Sequence, residues 1–328
     1  MTKEFPVLTI VLSTYNGERY LREQIDSILD QTYKDWVLLI RDDGSADATN
    51  RIIDEYIARD PRIVRLNDLR GNLGPCRSFL ELLSHVKTPY FMLCDQDDVW
   101  LPRKIEVTLA PLVADGVPQL VFTDLKVVDE TLVETASSFM AYSRFNPIAS
   151  KRLSKLIIQN TVVGCTVAGN QELLCAAKAT DVHSLPSSIM MHDWWLALVA
   201  CAFGKLIYVD QPTILYRQHG NNCLGARASG LRRYSQLLME GRPWRKAQHY
   251  LNKVVNQAEC FVICYSDGLR DEQKKTILRL LDIRIGYAPF KLLNCFFHGT
   301  SMHALDRNIA LILTFLGGRF SSIWNRHK

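Results

Sequence analysis

Several features that would assign this 328-residue chain to a common class are missing from it. No stretch reaches the roughly 20 apolar residues that a membrane-spanning helix needs. The first apolar run, residues 7–12, is also too short for the core of a secretory signal. The nine cysteines are scattered, odd in number and form no C-x-x-C pair, which argues against a disulfide framework or a zinc site. We therefore expect reduced thiols in a cytoplasm.

The two common glycine-rich phosphate-binding motifs are also missing. No G-x-G-x-x-G follows the first apolar run, and no G-x-x-x-x-G-K-[ST] occurs anywhere. Residues 13–17 thus lack the glycine-rich loop that a nucleotidyltransferase ordinarily has after its first strand. If the chain binds a nucleotide, polar side chains and a metal ion have to hold it.

Charge is divided unevenly along the chain. Residues 225–328 contain 17 Lys and Arg against 7 Asp and Glu, whereas residues 1–224 contain 22 against 27. A strongly basic segment suits an anionic partner surface. We expect one domain over 1–225, with halves at about 1–125 and 126–225, followed by a helical basic region over 226–328.

Short apolar runs alternate with helical periodicity over the first hundred residues. Runs at 7–12, 36–40, 63–66 and 90–94 have the length of buried strands. The alternation predicts an α/β fold of βαβ units with a mainly parallel sheet, whose ligands bind at the carboxyl ends of the strands. Polar residues cluster at those ends, at 13–16, 42–45 and 95–98. Further strands are expected at 120–123, 162–168, 205–209 and 214–217.

Three carboxylates lie within four residues directly after the strand at 90–94. Asp95, Asp97 and Asp98 would repel one another, and a divalent cation commonly compensates such a cluster. Mg²⁺ or Mn²⁺ bound in this way takes the rest of its ligands from water and substrate phosphates. A solvated acidic turn is the alternative, but the position beside two other polar strand ends favours a metal site.

Six motifs, in this order and spacing, resemble the family 2 glycosyltransferases of GT-A fold. They are S-T-Y-N at 13–16, D-D-G-S at 42–45, N-L-G at 72–74, D-Q-D-D-V-W at 95–100, H-D-W-W at 192–195 and Y-R-Q-H-G-N-N at 216–222. The resemblance covers about residues 6–222. It implies a Rossmann-like, mainly parallel sheet flanked by helices, and an inverting transfer of a sugar from a nucleoside diphosphate to a carbohydrate acceptor.

The resemblance also implies which residues hold the nucleotide sugar. They are Ser13, Thr14, Tyr15, Asn16, Asp43, Asn72, Asp95, Gln96 and Arg217. Asp43 would accept from the imide N–H of uracil or thymine, which suits a group that has only acceptors. A helix N-terminal cap is the alternative for Asp43, although Asp42 or Ser45 could serve in its place. Arg217 would face the diphosphate.

The implied metal ligands are Asp97, Asp95 and His219. Asp97 would be the principal ligand of Mn²⁺ or Mg²⁺, while Asp98 would support the ligands from behind. Imidazole suits manganese moderately well, so His219 is either a third ligand or a structural hydrogen-bonding residue. The cation would stabilise negative charge on the leaving nucleoside diphosphate, worth several kcal/mol in the transition state.

The acceptor side of the site is implied by H-D-W-W. Asp193 would be the general base that takes the proton of the acceptor hydroxyl, with a helix cap as the alternative. Trp194 and Trp195 would form a sugar-stacking platform, although burial in the core is the commoner fate of such rings. His192 stands where many relatives have Glu or Gln, and its role stays open.

Within the family, D-Q-D-D-V-W together with R-Q-H-G-x-N most resembles bacterial rhamnosyltransferases that build O-antigens, capsules and other cell-surface polysaccharides. The implied donor is dTDP-L-rhamnose and the implied acceptor a growing, lipid-linked glycan, with a UDP-linked hexose as the alternative donor. No nucleic-acid partner is expected. A non-catalytic module for polysaccharide or nucleic acid would leave Asp95, Asp97 and Asp193 without a task.

The region 226–328 lies outside these motifs. Its bases alternate with aromatic and aliphatic residues: Arg232, Arg233, Arg242, Arg245 and Lys246 lie among Tyr234, Leu237, Leu238 and Trp244. Basic amphipathic helices with aromatic residues lie in anionic membrane interfaces. We therefore expect peripheral contact with the inner face of the cytoplasmic membrane. A helical subdomain packed on the catalytic domain, or a homodimer interface, is the alternative.

Overall fold

The computed structural model describes residues 8–179, 185–220, 243–284 and 288–317. The chain forms two compact units. The sheet unit comprises Met1–Ala141, Val162–Leu185 and Met191–Ala226, and the helical unit comprises Tyr142–Thr161, Pro186–Met190 and Arg227–Lys328. The expected boundary near 225, the end of the last motif at 221–222 and the basic stretch at 232–242 lie outside the described residues.

The first half of the sheet is parallel. Its strands are β1 (Leu8–Thr14), β2 (Trp36–Asp42), β3 (Ile63–Arg65) and β4 (Tyr90–Cys94), in the order β3-β2-β1-β4. Helices α1 (Leu21–Leu29), α2 (Thr49–Arg59) and α3 (Gly74–Ser84) connect them. Pro75 lies in the first turn of α3, where its missing N–H removes no helical hydrogen bond. The strands are short apolar runs because helices cover both faces of a parallel sheet.

The second half of the sheet adds antiparallel neighbours. Its strands are β5 (Val99–Trp100), β6 (Gln119–Val128), β7 (Glu134–Ala136), β8 (Val167–Asn170) and β9 (Lys205–Arg217), and its helices are α4 (Lys104–Leu109), α8 (Gln171–Ala176) and α9 (His192–Phe203). The order continues β4-β8-β6-β9-β5, with β7 paired to β6. Strands β8 and β5 run antiparallel to their neighbours, whereas β6 and β9 are parallel. The predicted α/β class with a mainly parallel sheet is confirmed.

Two strand predictions differ from the structure in detail. The run at 162–168 was expected as one strand, but Gly164–Thr166 forms a 3₁₀ turn and β8 begins at Val167. The runs at 205–209 and 214–217 belong to a single strand, β9, whose register against β6 shifts near Pro212. Proline has no N–H to donate to a ladder, so pairing is interrupted there while the strand continues.

The helical unit contains short helices from the middle of the chain and longer ones from its end. These are α6 (Pro147–Ser150), α7 (Leu153–Leu156), α10 (Pro243–Tyr265), α11 (Asp271–Leu281), α12 (Ala288–Phe297) and α13 (Leu305–Gly317), while α5 (Phe139–Tyr142) precedes them at the unit boundary. Val254, Phe261 and Leu280 are buried in the core of this unit. Among the described helices, none is long and apolar enough to cross a bilayer. The predicted helical C-terminal region is present.

Candidate active site

The ends of β1 and β2 are joined by side-chain hydrogen bonds. Thr14 Oγ1 donates to Asp42 Oδ1 at 2.9 Å, and the Ser45 amide donates to Asp42 Oδ2 at 2.8 Å. Burial raises the pKa of Asp42, but hydrogen bonds from Ser45 and Thr14 outweigh burial and leave the pKa below its ordinary value. Asn16, which has a positive φ of 47°, donates its amide to Ser45 Oγ at 2.8 Å. Asp42 therefore fixes this turn.

Asp43 is buried and makes contacts of a different kind. Its Oδ1 accepts from the Leu73 amide at 2.7 Å and from Arg41, and its Oδ2 accepts from the Gly74 amide at 2.8 Å. Asn72 Nδ2 donates to the Asp43 carbonyl at 2.8 Å. Asp43 thus holds the start of α3 from a distant part of the chain and does not cap α2, the helix that follows it, whose N-cap residue is Ala48. A carboxylate offers about four acceptor positions, so one is left over for a base N–H.

Arg41 is a central residue of the site that the sequence analysis did not single out. Its side chain is about 2% exposed, and all five of its N–H groups have acceptors. Nε and one terminal nitrogen bind Asp68 at 2.6 and 3.2 Å, and the remaining donors reach Asp43, Ser78 Oγ at 2.9 Å and the Gly71 carbonyl at 2.8 Å. Ser78 Oγ lies 2.6 Å from Ser13 Oγ. In the sequence, Arg41 is distinguished only by being a charged residue at the end of an apolar strand.

Gln96 fixes the backbone of the first loop. Its Oε1 accepts from the Tyr15 amide at 2.8 Å, and its Nε2 donates to the Tyr15 carbonyl at 3.0 Å. Gly17 leaves room for this amide, since a Cβ there would lie 2.4 Å from Gln96 Oε1. The Tyr15 ring itself remains exposed. Gln96 therefore positions Tyr15 through the main chain and leaves its ring open to a ligand.

The carboxylates after β4 have two different surroundings. Asp97 Oδ2 lies 2.7 Å from His219 Nε2. Asp98 is fully buried, and its Oδ1 accepts from the Arg217 amide at 3.0 Å. Burial, with the charges of Asp97 and Asp193, raises the pKa of Asp95 to about 7. Burial likewise raises the pKa of Asp98 well above its usual range. A divalent cation would relieve the repulsion among these crowded carboxylates.

Two sets of side chains could in principle hold that cation. Single ligand atoms of Asp95, Asp98 and Cys165 lie within 4.8 Å of one another. Burial raises the pKa of the Cys165 thiol well above its usual value, and a protonated thiol is a poor ligand for Mg²⁺ or Mn²⁺. The set implied by the family resemblance, Asp95, Asp97 and His219, offers the oxygen and imidazole donors that suit manganese. Of these three, the structure brings Asp97 and His219 into contact, whereas the group of three ligand atoms found together among the described residues is the one with Cys165. The donor chemistry fits the second set, and the placement of its third member, Asp95, beside His219 is a prediction.

Lys104 is a further buried residue of the cluster that the sequence analysis missed. Its Nζ lies over the Trp100 ring, 4.6 Å from the centroid. Burial lowers the pKa of Lys104 to about 8, although the nearby carboxylates of Asp98 and Asp95 oppose this shift. Lys104 is thus a fully buried base within electrostatic reach of Asp98 and Asp95.

Arg217 was expected at the diphosphate, and the structure places it elsewhere. Its guanidinium is buried and donates to the carbonyls of Asp97 at 2.9 Å and Glu130 at 2.6 Å, and also to the Glu23 carboxylate. It lies over the Tyr20 ring, 4.4 Å from the centroid. Arg217 therefore supports the backbone of the 95–98 loop from beneath, and its guanidinium is not on a surface that phosphates reach.

The start of α9 brings Asp193 to the same edge of the sheet. Its charge contributes to the raised pKa of Asp95, so the two carboxylates lie within electrostatic reach. Asp193 Oδ1 accepts from the Trp194 amide at 2.5 Å, but the N-cap residue of α9 is Met191, so Asp193 does not form the helix cap that was the alternative from the sequence. The neighbouring His192 stacks on Phe79 at 4.2 Å, and burial lowers its pKa to about 3. His192 is therefore neutral at ordinary pH.

Trp194 and Trp195, expected as a sugar platform, are core residues. They are 3% and 0% exposed, and Trp195 Nε1 donates to the Ala177 carbonyl at 3.1 Å. A sugar needs an open ring face to stack on, and neither ring offers one here. The expectation of a sugar platform is corrected for this reason, because the packing of α9 buries both rings.

The chain is similar in sequence to glycosyltransferases of known name. The chain is 29% identical over 255 residues to the dTDP-rhamnosyl transferase RfbG of Shigella flexneri, a match that spans 75% of this chain and 83% of RfbG. It is 24% identical over 252 residues to the glycosyltransferase MJ1057 of Methanocaldococcus jannaschii, which spans 76% and 83% of the two chains.

Solved structures share the fold at low sequence identity. Residues 1–349 of Staphylococcus aureus TarS, solved with UDP-GlcNAc, superpose with a TM-score of 0.56 at 14% identity, over 94% of this chain and 79% of TarS. The mannosyltransferase PcManGT of Pyrobaculum calidifontis, solved with GDP-Man and Mn²⁺, gives 0.54 at 17% identity, over 97% and 77%. The GT-A fold is thereby confirmed. Residues 9–172 match the family described as Glycosyl transferase family 2, and the chain belongs to that family.

Proposed function

We propose that this glycosyltransferase transfers L-rhamnose from dTDP-L-rhamnose to a growing, lipid-linked cell-surface polysaccharide, with inversion at the anomeric carbon. The observation that supports the reaction type is the contact of Asp97 with His219, beside Asp95, whose pKa the charge of Asp193 helps to raise. The match to RfbG across most of both chains supports rhamnose as the sugar. A cytoplasmic location, expected from the cysteines, belongs to this proposal.

The nucleoside diphosphate would be held at the ends of β1 and β2. Tyr15 presents an exposed ring there, and Asp43 keeps one acceptor position for the imide N–H of thymine. Asn72 lies on the loop that Arg41 ties to the same place. Uracil has the same imide N–H, so the contact to Asp43 alone does not separate dTDP from UDP.

The pyrophosphate would lie beside Asp95, Asp97 and His219. These three residues would hold Mn²⁺ or Mg²⁺, which neutralises charge on the departing diphosphate when it is bound. Asp98 and Lys104 are buried close enough to one another that the Asp98 charge acts on Lys104. The Arg217 guanidinium donates to the main-chain carbonyl of Asp97 and thereby holds the Asp97 backbone in place.

Asp193 would act as the general base. Its carboxylate would take the proton of the acceptor hydroxyl while that oxygen bonds to the anomeric carbon. The bond from this carbon to the diphosphate oxygen breaks on the opposite face, and the nucleoside diphosphate leaves. A positioned general base typically accelerates such a step about 10²–10⁴-fold.

Calorimetric titration with dTDP, UDP and GDP, each with Mn²⁺ and with EDTA, tests the donor. We expect dTDP to bind in a manganese-dependent manner and more tightly than the others. Incubation with dTDP-L-rhamnose and a lipid-linked acceptor should then release dTDP. Preference for UDP would discard rhamnose and keep sugar transfer. Failure of all three to bind would contradict the proposed site itself.

A further inference from the structure

Tyr20 lies directly before α1, and its buried ring contacts three side chains that carry a guanidinium or an imidazole. The ring centroids of Tyr20 and His219 lie 5.0 Å apart, and the two ring planes are tilted by 31°. The guanidinium carbon of Arg217 lies 4.4 Å from the Tyr20 ring centroid, and that of Arg19 lies 4.9 Å from it. These are the distances of aromatic pairs and of cation–π contacts. Tyr20 is therefore a shared neighbour of Arg217 and His219.

Arg217 and His219 hold Asp97 by different atoms. His219 Nε2 lies 2.7 Å from Asp97 Oδ2, and the Arg217 guanidinium donates to the Asp97 carbonyl at 2.9 Å. The first contact orients the Asp97 carboxylate, and the second fixes its main chain. Because the Tyr20 ring lies against both partners, it supports the side chain and the main chain of Asp97 at the same time.

The charges around the Tyr20 ring are paired within the same cluster. Arg217 donates to the Glu23 carboxylate, in the first turn of α1, and Arg19 pairs with the Glu130 carboxylate at 2.9 Å. Two guanidinium groups can lie against one ring because each has a carboxylate of its own. A ring that lies against an imidazole also restricts its rotation, which a contact between Nε2 and a carboxylate leaves open.

Packing in the apolar core is the alternative role of a buried tyrosine, and the surroundings of Tyr20 argue against it. Among the described residues, the apolar core of the sheet unit takes in Leu21, Ile25 and Ile28 of α1 but not Tyr20. The Tyr20 hydroxyl is buried and has no hydrogen-bond partner within the part of the chain that the structure describes. The side chain therefore acts through its ring, and it acts on polar neighbours.

We propose that Tyr20 is a positioning residue of the cation site. Its ring holds the His219 imidazole and the Arg217 guanidinium in the orientations that present Asp97 and His219 to one cation. Tyr20 donates no ligand atom itself and acts through these two neighbours. Loss of a residue that orients metal ligands typically costs about 10–100-fold in metal affinity. The inference rests on the proposed function, because it concerns the cation that the proposed donor site would hold.

Mn²⁺ binding to the full-length protein in the presence of dTDP tests this role. Calorimetry measures the affinity. Pulsed electron paramagnetic resonance detects the ¹⁴N nucleus of an imidazole bound to Mn²⁺, and His219→Gln is the reference that lacks this signal. Tyr20→Leu removes the ring, so it should weaken Mn²⁺ binding about tenfold or more and reduce the ¹⁴N signal. Tyr20→Phe keeps the ring and should restore both.

Tyr56→Leu is the matched control. Tyr56 is also buried, and Arg59 lies over its ring at 5.7 Å, but α2 runs away from the carboxyl edge of the sheet. Tyr56→Leu also loses a hydrogen bond to Asp26, 2.6 Å long, so it should lower the melting temperature at least as much as Tyr20→Leu does. It should nevertheless bind Mn²⁺ like the wild type. Tyr20→Met replaces Tyr20→Leu if the thermal melt shows the latter to be unfolded.

Three outcomes would overturn the positioning role. They are an unchanged Mn²⁺ affinity and ¹⁴N signal in Tyr20→Leu, an equal loss of Mn²⁺ affinity in Tyr56→Leu, and Mn²⁺ bound by the wild type without an imidazole signal. Each of them leaves the proposed function standing, because the wild type still binds Mn²⁺ and dTDP. Failure of the wild type to bind either one would instead count against the proposed function, and this inference would fall with it.

Discussion

His219 Nε2 lies 2.7 Å from Asp97 Oδ2, although 122 residues separate the two in the chain. Strand β9 accounts for this contact, because it pairs antiparallel with β5 and places Leu215 opposite Val99. The residues just after β9 therefore meet the residues just before β5. The pair brings together the motifs at 95–100 and 216–222, and its carboxylate and imidazole belong to the proposed cation site.

Replacing Asp97 with Ala should remove metal-supported donor binding and turnover together. The reason is that Asp97 is the carboxylate paired with His219, and its loss leaves Asp95 as the remaining acidic ligand of the proposed set. Calorimetry with dTDP and Mn²⁺ measures binding, and dTDP release measures turnover. Asp30→Ala is the control, since Asp30 lies at the far end of α1, away from the carboxyl edge of the sheet. Manganese-dependent binding at wild-type strength in Asp97→Ala would rule out Asp97 as a ligand.

Replacing Asp193 with Asn should leave donor affinity intact and slow transfer about 10²–10⁴-fold. Asparagine has nearly the same shape and can still accept from the Trp194 amide, so the start of α9 is preserved. It cannot take up the acceptor proton. Donor affinity and single-turnover rates, measured on the same preparation, separate the two effects. Transfer at the wild-type rate would show that another group is the base.

Replacing Arg41 with Lys should destabilise the fold by about 3–5 kcal/mol, because a buried ion pair loses its partner geometry. Lysine has three donors on one point charge and cannot serve Asp68, Asp43, Ser78 and Gly71 together. Urea unfolding measures the change. Donor affinity should also fall, since Asp43 and the loop at 71–74 lose their anchor.

Arg62→Lys is the control for Arg41→Lys. Arg62 pairs with Asp60 at 2.6 Å and lies over the Trp36 ring at 3.8 Å, away from the candidate site and partly exposed. Its replacement should cost at most about 1 kcal/mol and leave donor affinity unchanged. If Arg41→Lys binds donor as tightly as Arg62→Lys does, Arg41 does not position the nucleotide site.

His192→Gln should make the protein less sensitive to acid. Burial lowers the pKa of His192 to about 3 from the ordinary 6.5. Between these values the unfolded chain binds more protons than the folded one, so wild-type stability falls as pH drops below 6.5. The histidine term amounts to about 2 kcal/mol between about pH 7 and about pH 5. Urea midpoints at both pH values give the slope, and equal slopes for the two proteins would contradict the pKa assigned to His192.

Local pattern was enough to predict the strand and helix alternation and the edge of the sheet that carries the site. The apolar runs at β1, β2 and β4 have the length and composition that are typical of strands buried on both faces. The carboxyl ends of parallel strands share one edge, so polar residues following those runs had to meet. The same reasoning predicted the acidic cluster after β4, and the motifs predicted the family.

Tertiary structure alone decided what each polar or aromatic residue contacts. Arg217 was expected at the phosphates, but long-range packing surrounds it with Asp97, Glu130 and Glu23. Trp194 and Trp195 could have lined a sugar site or filled the core, and the packing of α9 buried both.

Arg41 is a residue of the candidate site whose role the sequence did not reveal. Its four partner residues lie up to 37 positions away, and no local pattern reveals them. A sequence specifies burial through periodicity, which is local. Whether a polar group is satisfied by the protein or left for a ligand depends on contacts that form only when the chain is folded.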